Sequence, residues 1–127
     1  MPGRVIWTVL MSRQVHTAMA LYEGALGWRF EPFGLAPVPG WVARGAENEA
    51  MAMFLDTSKS DFPAASEMWL PLLAVARLDE RIREVEALGA VLLRPPMEFS
   101  GFGRVAVLRQ PGGAIVGWMT PASVSLT

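Results

Sequence analysis

The chemistry open to this chain is bounded first by what it lacks. Among 127 residues it has one histidine, no cysteine and twelve carboxylates. Without cysteine there is neither a disulfide nor a thiolate nucleophile. His16 lies at the start of an expected helix, on the side away from Val15 and Met19, so it is expected to face solvent. A catalytic imidazole needs a partner base within reach, and the register supplies none. Serine and aspartate are present, but no G-x-S-x-G elbow exposes a nucleophile. "SGFGR" and "PGG" are glycine-rich without the strand and helix context of a phosphate cradle, so turns between strands account for them. Glu80, Glu84 and Glu86 with Arg81 and Arg83 read as the solvated face of a helix. Arg104, beside the "FSGFG" stretch, reads first as a surface residue and second as a contact for a carboxylate or phosphate.

Hydrophobic residues make up 52% of the chain, charged residues 18%, and the net charge is -1. A basic stripe for nucleic acid is absent, and no block of like charge is present. The composition is that of a folded chain with apolar surface to spare, for a partner subunit or a cavity. The apolar run at the N-terminus is too short for a signal peptide. "WLPLLAVA" is far below the ~20 residues that a membrane span needs. The expected location is the cytoplasm.

Two stretches then fix the organisation. "YEGALGW" and "EALGAVLL" each place Ala-Leu-Gly at the end of a helical pattern, with Ala25 and Ala87 about 62 residues apart. The first helix is expected over roughly Gln14 to Gly24, with Val15, Met19, Tyr22 and Leu26 as its apolar stripe and Gly27 as its stop. The second, "LDERIREVEALGA", carries Leu78, Ile82, Val85 and Leu88 on one face, Asp79 and Glu80 in its first turn, and Gly89 as its stop. "VIWTVLM" precedes the first helix as a strand and "MWLPLLAV" the second. Three strands are expected after each helix: "WRFEPF", ended or interrupted by Pro32, "GWVARGAE" and "EAMAMFLDT"; then "VLLR", broken at Pro95 and Pro96, "RVAVLRQ" and "AIVGWM". "GLAPVPG" and "MEFSGFG" read as loops. The reading is one α+β domain built from two βαβββ modules, 1–58 and 68–127, joined by a polar linker at 59–67. One such module has too few strands to bury both its helix and its sheet, so the two must pack together.

With those residues placed, the chain resembles the vicinal oxygen chelate superfamily, which includes glyoxalase I, bleomycin-resistance proteins and extradiol dioxygenases. The resemblance rests on "WTVLMSRQVHTAMALYEGALGW", "VARLDERIREVEALGA" and "GFGRVAVLRQPGGAIVGW", in that order. It implies a cupped half-barrel sheet with a ligand inside the cup, and a homodimer. The chain departs from the pattern at three turns, where Gln14, Arg77 and Gln110 replace a usual Asp, and these residues cap backbone N–H groups less well.

The resemblance also implies a divalent metal held by His, Gln or Glu on the first strand of each module and by Glu on the last strand. Those positions fall here on Trp7, with Val9 two residues on, on Leu70, with Leu72 beyond, and on Gly117. "AMAMFLD" adds only Met51, Met53 and Asp56. No metal and no other cofactor are expected, because indole and alkyl groups cannot replace imidazole and carboxylate. The expected lining is Trp7, Val9, Met51, Met53, Leu70, Leu72 and Gly117, with Trp118 or Phe54 near the edges and space left at Gly117. Such a cup suits a small hydrophobic or aromatic molecule, unless the same side chains fill it. The function expected is binding without chemistry, of the sequestration or resistance type. The alternative is a lyase-like or dioxygenase-like enzyme with a metal-independent or unrecognised metal site.

Overall fold

A computed structural model of the chain describes residues 3–33, 38–59, 67–99 and 101–122. The chain divides into two compact units, a first of Trp7–Trp69 and a second of Met1–Ile6 with Leu70–Thr127. The order of elements is β1 (Val5–Ser12), α1 (Val15–Leu26), β2 (Arg29–Phe33), β3 (Gly40–Arg44), β4 (Ala50–Asp56), β5 (Met68–Ala74), α2 (Leu78–Ala87), β6 (Val91–Phe99), β7 (Gly103–Arg109) and β8 (Ile115–Pro121). This is the βαβββ order twice over. In the first unit the strands lie in the order β2-β3-β4-β1, and in the second β6-β7-β8-β5. In each the opening strand runs parallel to the last, Val9 beside Met53 and Leu72 beside Gly117, while the other pairs are antiparallel.

Among the described residues each unit has one helix, and that helix covers one face of its strands. Under α1, Phe54 is fully buried with Leu10, Val15, Ala43 and Ala52, and Tyr22, Trp28 and Phe30 pack around it. Tyr22 stacks on Trp28 at 5.2 Å between ring centroids and meets Trp69 edge-on at 5.7 Å. Under α2, Leu78, Ile82, Ala106, Leu108 and Val116 form the matching cluster, with Trp118 packed against it. The two helix stripes hold except at their last members. Leu26 and Leu88, the leucines of the two Ala-Leu-Gly stops, are 57% and 78% exposed. The stops themselves act as expected: Gly27 and Gly89 take φ of 70° and 102°, a region that glycine enters without strain.

Three expectations are corrected. The first helix runs on to Leu26, past Gly24. β2 contains Pro32, and β6 continues through Pro95 and Pro96 to Phe99, so Met97 to Phe99 are strand and not loop. Both strands end the strand order of their units, where a proline's missing N–H forfeits little of the ladder. β6 also shifts register between Leu92 and Arg94 and again between Arg94 and Met97, which accommodates the two prolines. Of the expected "GLAPVPG" loop and the 59–67 linker, residues 34–37 and 60–66 lie outside the described residues, as does Ser100.

The turns that lack Asp are held from a distance. Neither Gln14 nor Arg77 makes a side-chain cap. Before α1, the Glu67 carboxylate accepts the Arg13 N–H at 2.6 Å and the Ser12 hydroxyl at 2.9 Å, while Ser12 Oγ accepts the Gln14 N–H at 2.9 Å. Before α2, Thr120 Oγ1 accepts the Leu78 N–H at 3.1 Å and donates to the Val75 carbonyl at 2.7 Å. A hydroxyl on β8 thus does the work of the missing cap. Thr120→Val keeps the shape and removes both bonds. It is expected to lower stability in urea denaturation by about 1–2 kcal/mol with an unchanged m-value.

Candidate functional site

Alternation along a strand sends neighbouring side chains to opposite faces. Leu10, Ala52 and Phe54 point at α1, so Trp7, Val9, Met51 and Met53 share the face turned away from it. In the second unit Leu73, Val116 and Trp118 lie on the α2 side. Leu70, Leu72 and Gly117 therefore occupy the other face, and Trp118 does not join them. Phe54 is likewise separated from Val9 and Met53, as part of the core under α1. The same parity separates Trp7 from Trp69. Trp69 packs on Tyr22 and Phe54 of the helix-side core, whereas Trp7 is on the bare face. Leu70 is the true counterpart of Trp7, 63 residues on by number, one more than the offset of the helices.

The residues on these faces differ in what they leave open. Val9 and Met53 are each 4% exposed, Leu70 and Leu72 each 2%. Met51 is 42% exposed and Trp7 half-buried. Gly117 leaves no space, contrary to expectation. A Cβ built there would collide with Leu72 Cδ2 and lie 3.3 Å from Leu70 Cδ2. The two leucines have grown into the place of the side chain that glycine lacks.

The donor chemistry does not fit the metal that the resemblance implies. The three positions offer an indole, an isobutyl group and a hydrogen. Among the described residues no group of three or more His, Cys, Asp or Glu side chains is placed to hold an ion. Asp56, at the end of β4, is committed to its own turn. It accepts hydrogen bonds from the Ser58 side chain and from the Ser58 N–H, the latter at 2.9 Å, and the side-chain bond foremost lowers its pKa. His16 is exposed, its ring edge-on to Trp41 at 5.2 Å.

Arg104 is engaged within the chain. Its Nε and one terminal nitrogen donate to the two Asp79 oxygens at 3.0 and 3.1 Å, and Glu98 lies 3.7 Å from the other. The fork–fork pair joins β7 to the first turn of α2 and leaves no open cation for a ligand. Sequence reasoning missed Asp79 as the partner, because the two residues are 25 apart and meet only through the α2–β7 packing. It also passed over Arg94, which the bulged register of β6 sets opposite Val107.

Two outcomes follow. Gly117→Glu, which restores the family's carboxylate, is expected to cost about 3 kcal/mol or more, since it overpacks Leu72 and buries a charge. Adding Leu72→Ala should recover part of that loss in thermal denaturation. The Arg104 hydrogen bond and charge hold the Asp79 carboxyl below its ordinary value of 3.8. A depressed carboxyl contributes stability above its unfolded pKa and loses it as pH falls through the folded one. The melting temperature of Asp79→Asn should therefore lie below that of the parent at pH 7, and the gap should narrow as pH falls below the ordinary carboxyl value of 3.8.

No protein-family model matches the chain. It is 25% identical over 120 residues to a protein of Mycobacterium bovis named putative glyoxylase CFP32, covering 94% of this chain and 45% of the relative. It is also 25% identical over 124 residues to the anthracycline biosynthesis protein DnrV of Streptomyces peucetius, covering 89% of this chain and 45% of that protein. The chain thus spans about half the length of the curated relatives it matches. Among solved structures, Streptomyces coelicolor methylmalonyl-CoA epimerase in complex with 2-nitronate-propionyl-CoA shares the fold. Its TM-score is 0.68 at 14% identity, over 97% of this chain and all of the other. The βαβββ order repeated, relatives of the glyoxylase kind and this shared α+β fold agree with the resemblance to the vicinal oxygen chelate superfamily.

Proposed function

We propose that the chain binds a small apolar or aromatic molecule without metal chemistry, as a sequestration or resistance protein does. The observation that carries this reading is the set of uncharged groups, Trp7, Leu70 and Gly117, where the superfamily's enzymes place metal ligands. Of the expected lining, Trp7 and Met51 keep accessible surface, and they share the bare face of the first unit. An indole and a thioether give flat, polarizable contact for a planar ligand. Val9 and Met53 are buried on the same face of the first unit, while Leu70, Leu72 and Gly117 pack on one another in the second. Trp118, on the α2 side, takes no part in it.

The working form is a homodimer in the cytoplasm. The dimer rests on the resemblance to the superfamily and on the apolar surplus of the chain. Among the described residues no helix is long and apolar enough to cross a membrane.

The second reading is an enzyme on the same scaffold, with a metal-independent mechanism or an unrecognised metal site. The fold held in common with an epimerase favours it. Metal analysis of protein purified without chelator separates the two, combined with a thermal-shift screen of planar organics and divalent metals. The binding reading expects less than stoichiometric metal and stabilisation by organics alone. Stoichiometric metal, or stabilisation by metal alone, overturns it in favour of the enzyme. Trp7→Ala is expected to weaken the organic ligand about tenfold or more, equivalent to about 1.4 kcal/mol.

A further inference from the structure

The second unit holds a cavity of about 300 Å³ between the C-terminal turn of α2 and the hairpin that joins β7 to β8. We propose that it is a binding site for a neutral, apolar small molecule bearing one hydrogen-bonding group. It lies on the α2 side of the sheet, away from Leu70, Leu72 and Gly117, so it stands independently of the reading above.

The volume is at the lower end of small-molecule sites. Leu108 and Val116 form the floor, buried to 1% and 7%. Trp118 forms a wall and is only half-buried, although it packs on the α2 cluster. Leu88 stands among the lining residues with 78% of its surface exposed. An isobutyl group so exposed has the most to gain from a cover, since burial is worth roughly 25 cal/mol per Å² of apolar area.

The lining also sets the class of ligand. None of its residues carries a charge, so an ion would lose its hydration there without a counter-charge. Gln110 is the one polar side chain, and its amide can both donate and accept. The backbone that carries the lining is tied by its own hydrogen bonds. The hairpin is closed by Gln110 N–H to the Ala114 carbonyl and by Gly113 N–H to the Gln110 carbonyl, both at 2.8 Å. The Leu88 and Ala90 N–H groups both donate to the Val85 carbonyl at 3.0 Å. A site already ordered loses less entropy on binding.

The test uses N-phenyl-1-naphthylamine, an uncharged planar probe that fluoresces in apolar surroundings, titrated into the full chain. Saturable binding at about one probe per chain is expected, weakened about tenfold or more by Leu88→Arg. The exposure of Leu88 makes that variant compatible with the fold, which circular dichroism and the melting temperature would verify. Leu26→Arg, the matching change in the first unit, is expected to leave the affinity unchanged. Gln110→Leu should retain the probe while weakening its hydroxylated analogues. Equal affinity in the Leu88→Arg variant and the parent overturns the proposal, as does a parent that shows no saturable binding. Loss of the probe in Trp7→Ala but not in Leu88→Arg also overturns it, while leaving the first unit's bare face as the site.

Discussion

A strand can offer only alternate side chains to any one face, and each unit of this protein has a single helix with which to cover one. That constraint decides every placement that matters here. Once Leu10, Ala52 and Phe54 are committed to α1, Trp7, Val9, Met51 and Met53 must share the other face. Once Val116 and Trp118 are committed to α2, Gly117 is separated from its neighbour Trp118 by the thickness of the sheet. The superfamily uses the bare faces for metal ligands. Here the same positions carry an indole, a leucine and a glycine. The space a side chain at Gly117 would need is taken up by Leu72.

The turns show a second form of substitution. A capping Asp satisfies N–H groups within its own turn, and the sequence has lost it at Gln14 and Arg77. The N–H groups still need partners, because an unpaired polar group costs more than a bond gains. Glu67, just ahead of β5, and Thr120 on β8 provide them. Each bond joins residues more than forty positions apart, 54 for Glu67 and 42 for Thr120, so local capping has become tertiary structure. Arg104 also ties the first turn of α2 to β7, through the Asp79 carboxylate 25 positions away.

The periodic and punctuated parts of the fold were legible in the sequence. The helix stripes up to their last leucines, the Ala-Leu-Gly stops and the order of elements along the chain follow from local rules, and the structure keeps them. Pro95 and Pro96 were read as a break because the sequence does not say that β6 ends its sheet, where proline is tolerated. The candidate site was legible as a set of faces but not as a set of surfaces. Parity assigns Leu70 and Gly117 to one face; only packing reveals that Leu72 fills the gap between them. The exposure of Leu88, the partner of Arg104 and the cavity beside Trp118 depend on how a helix end meets a hairpin, and nothing local encodes that.

The prolines of β2 and β6 have a further consequence. The two strands at the ends of the strand order, β2 and β6, would be natural templates for polymerisation, each offering its free amide row to another chain. Pro32 on one and Pro95 with Pro96 on the other remove amide hydrogens from those rows, and the register shifts of β6 spoil its regular spacing. Growth into fibres by strand addition is thereby obstructed at both outer margins.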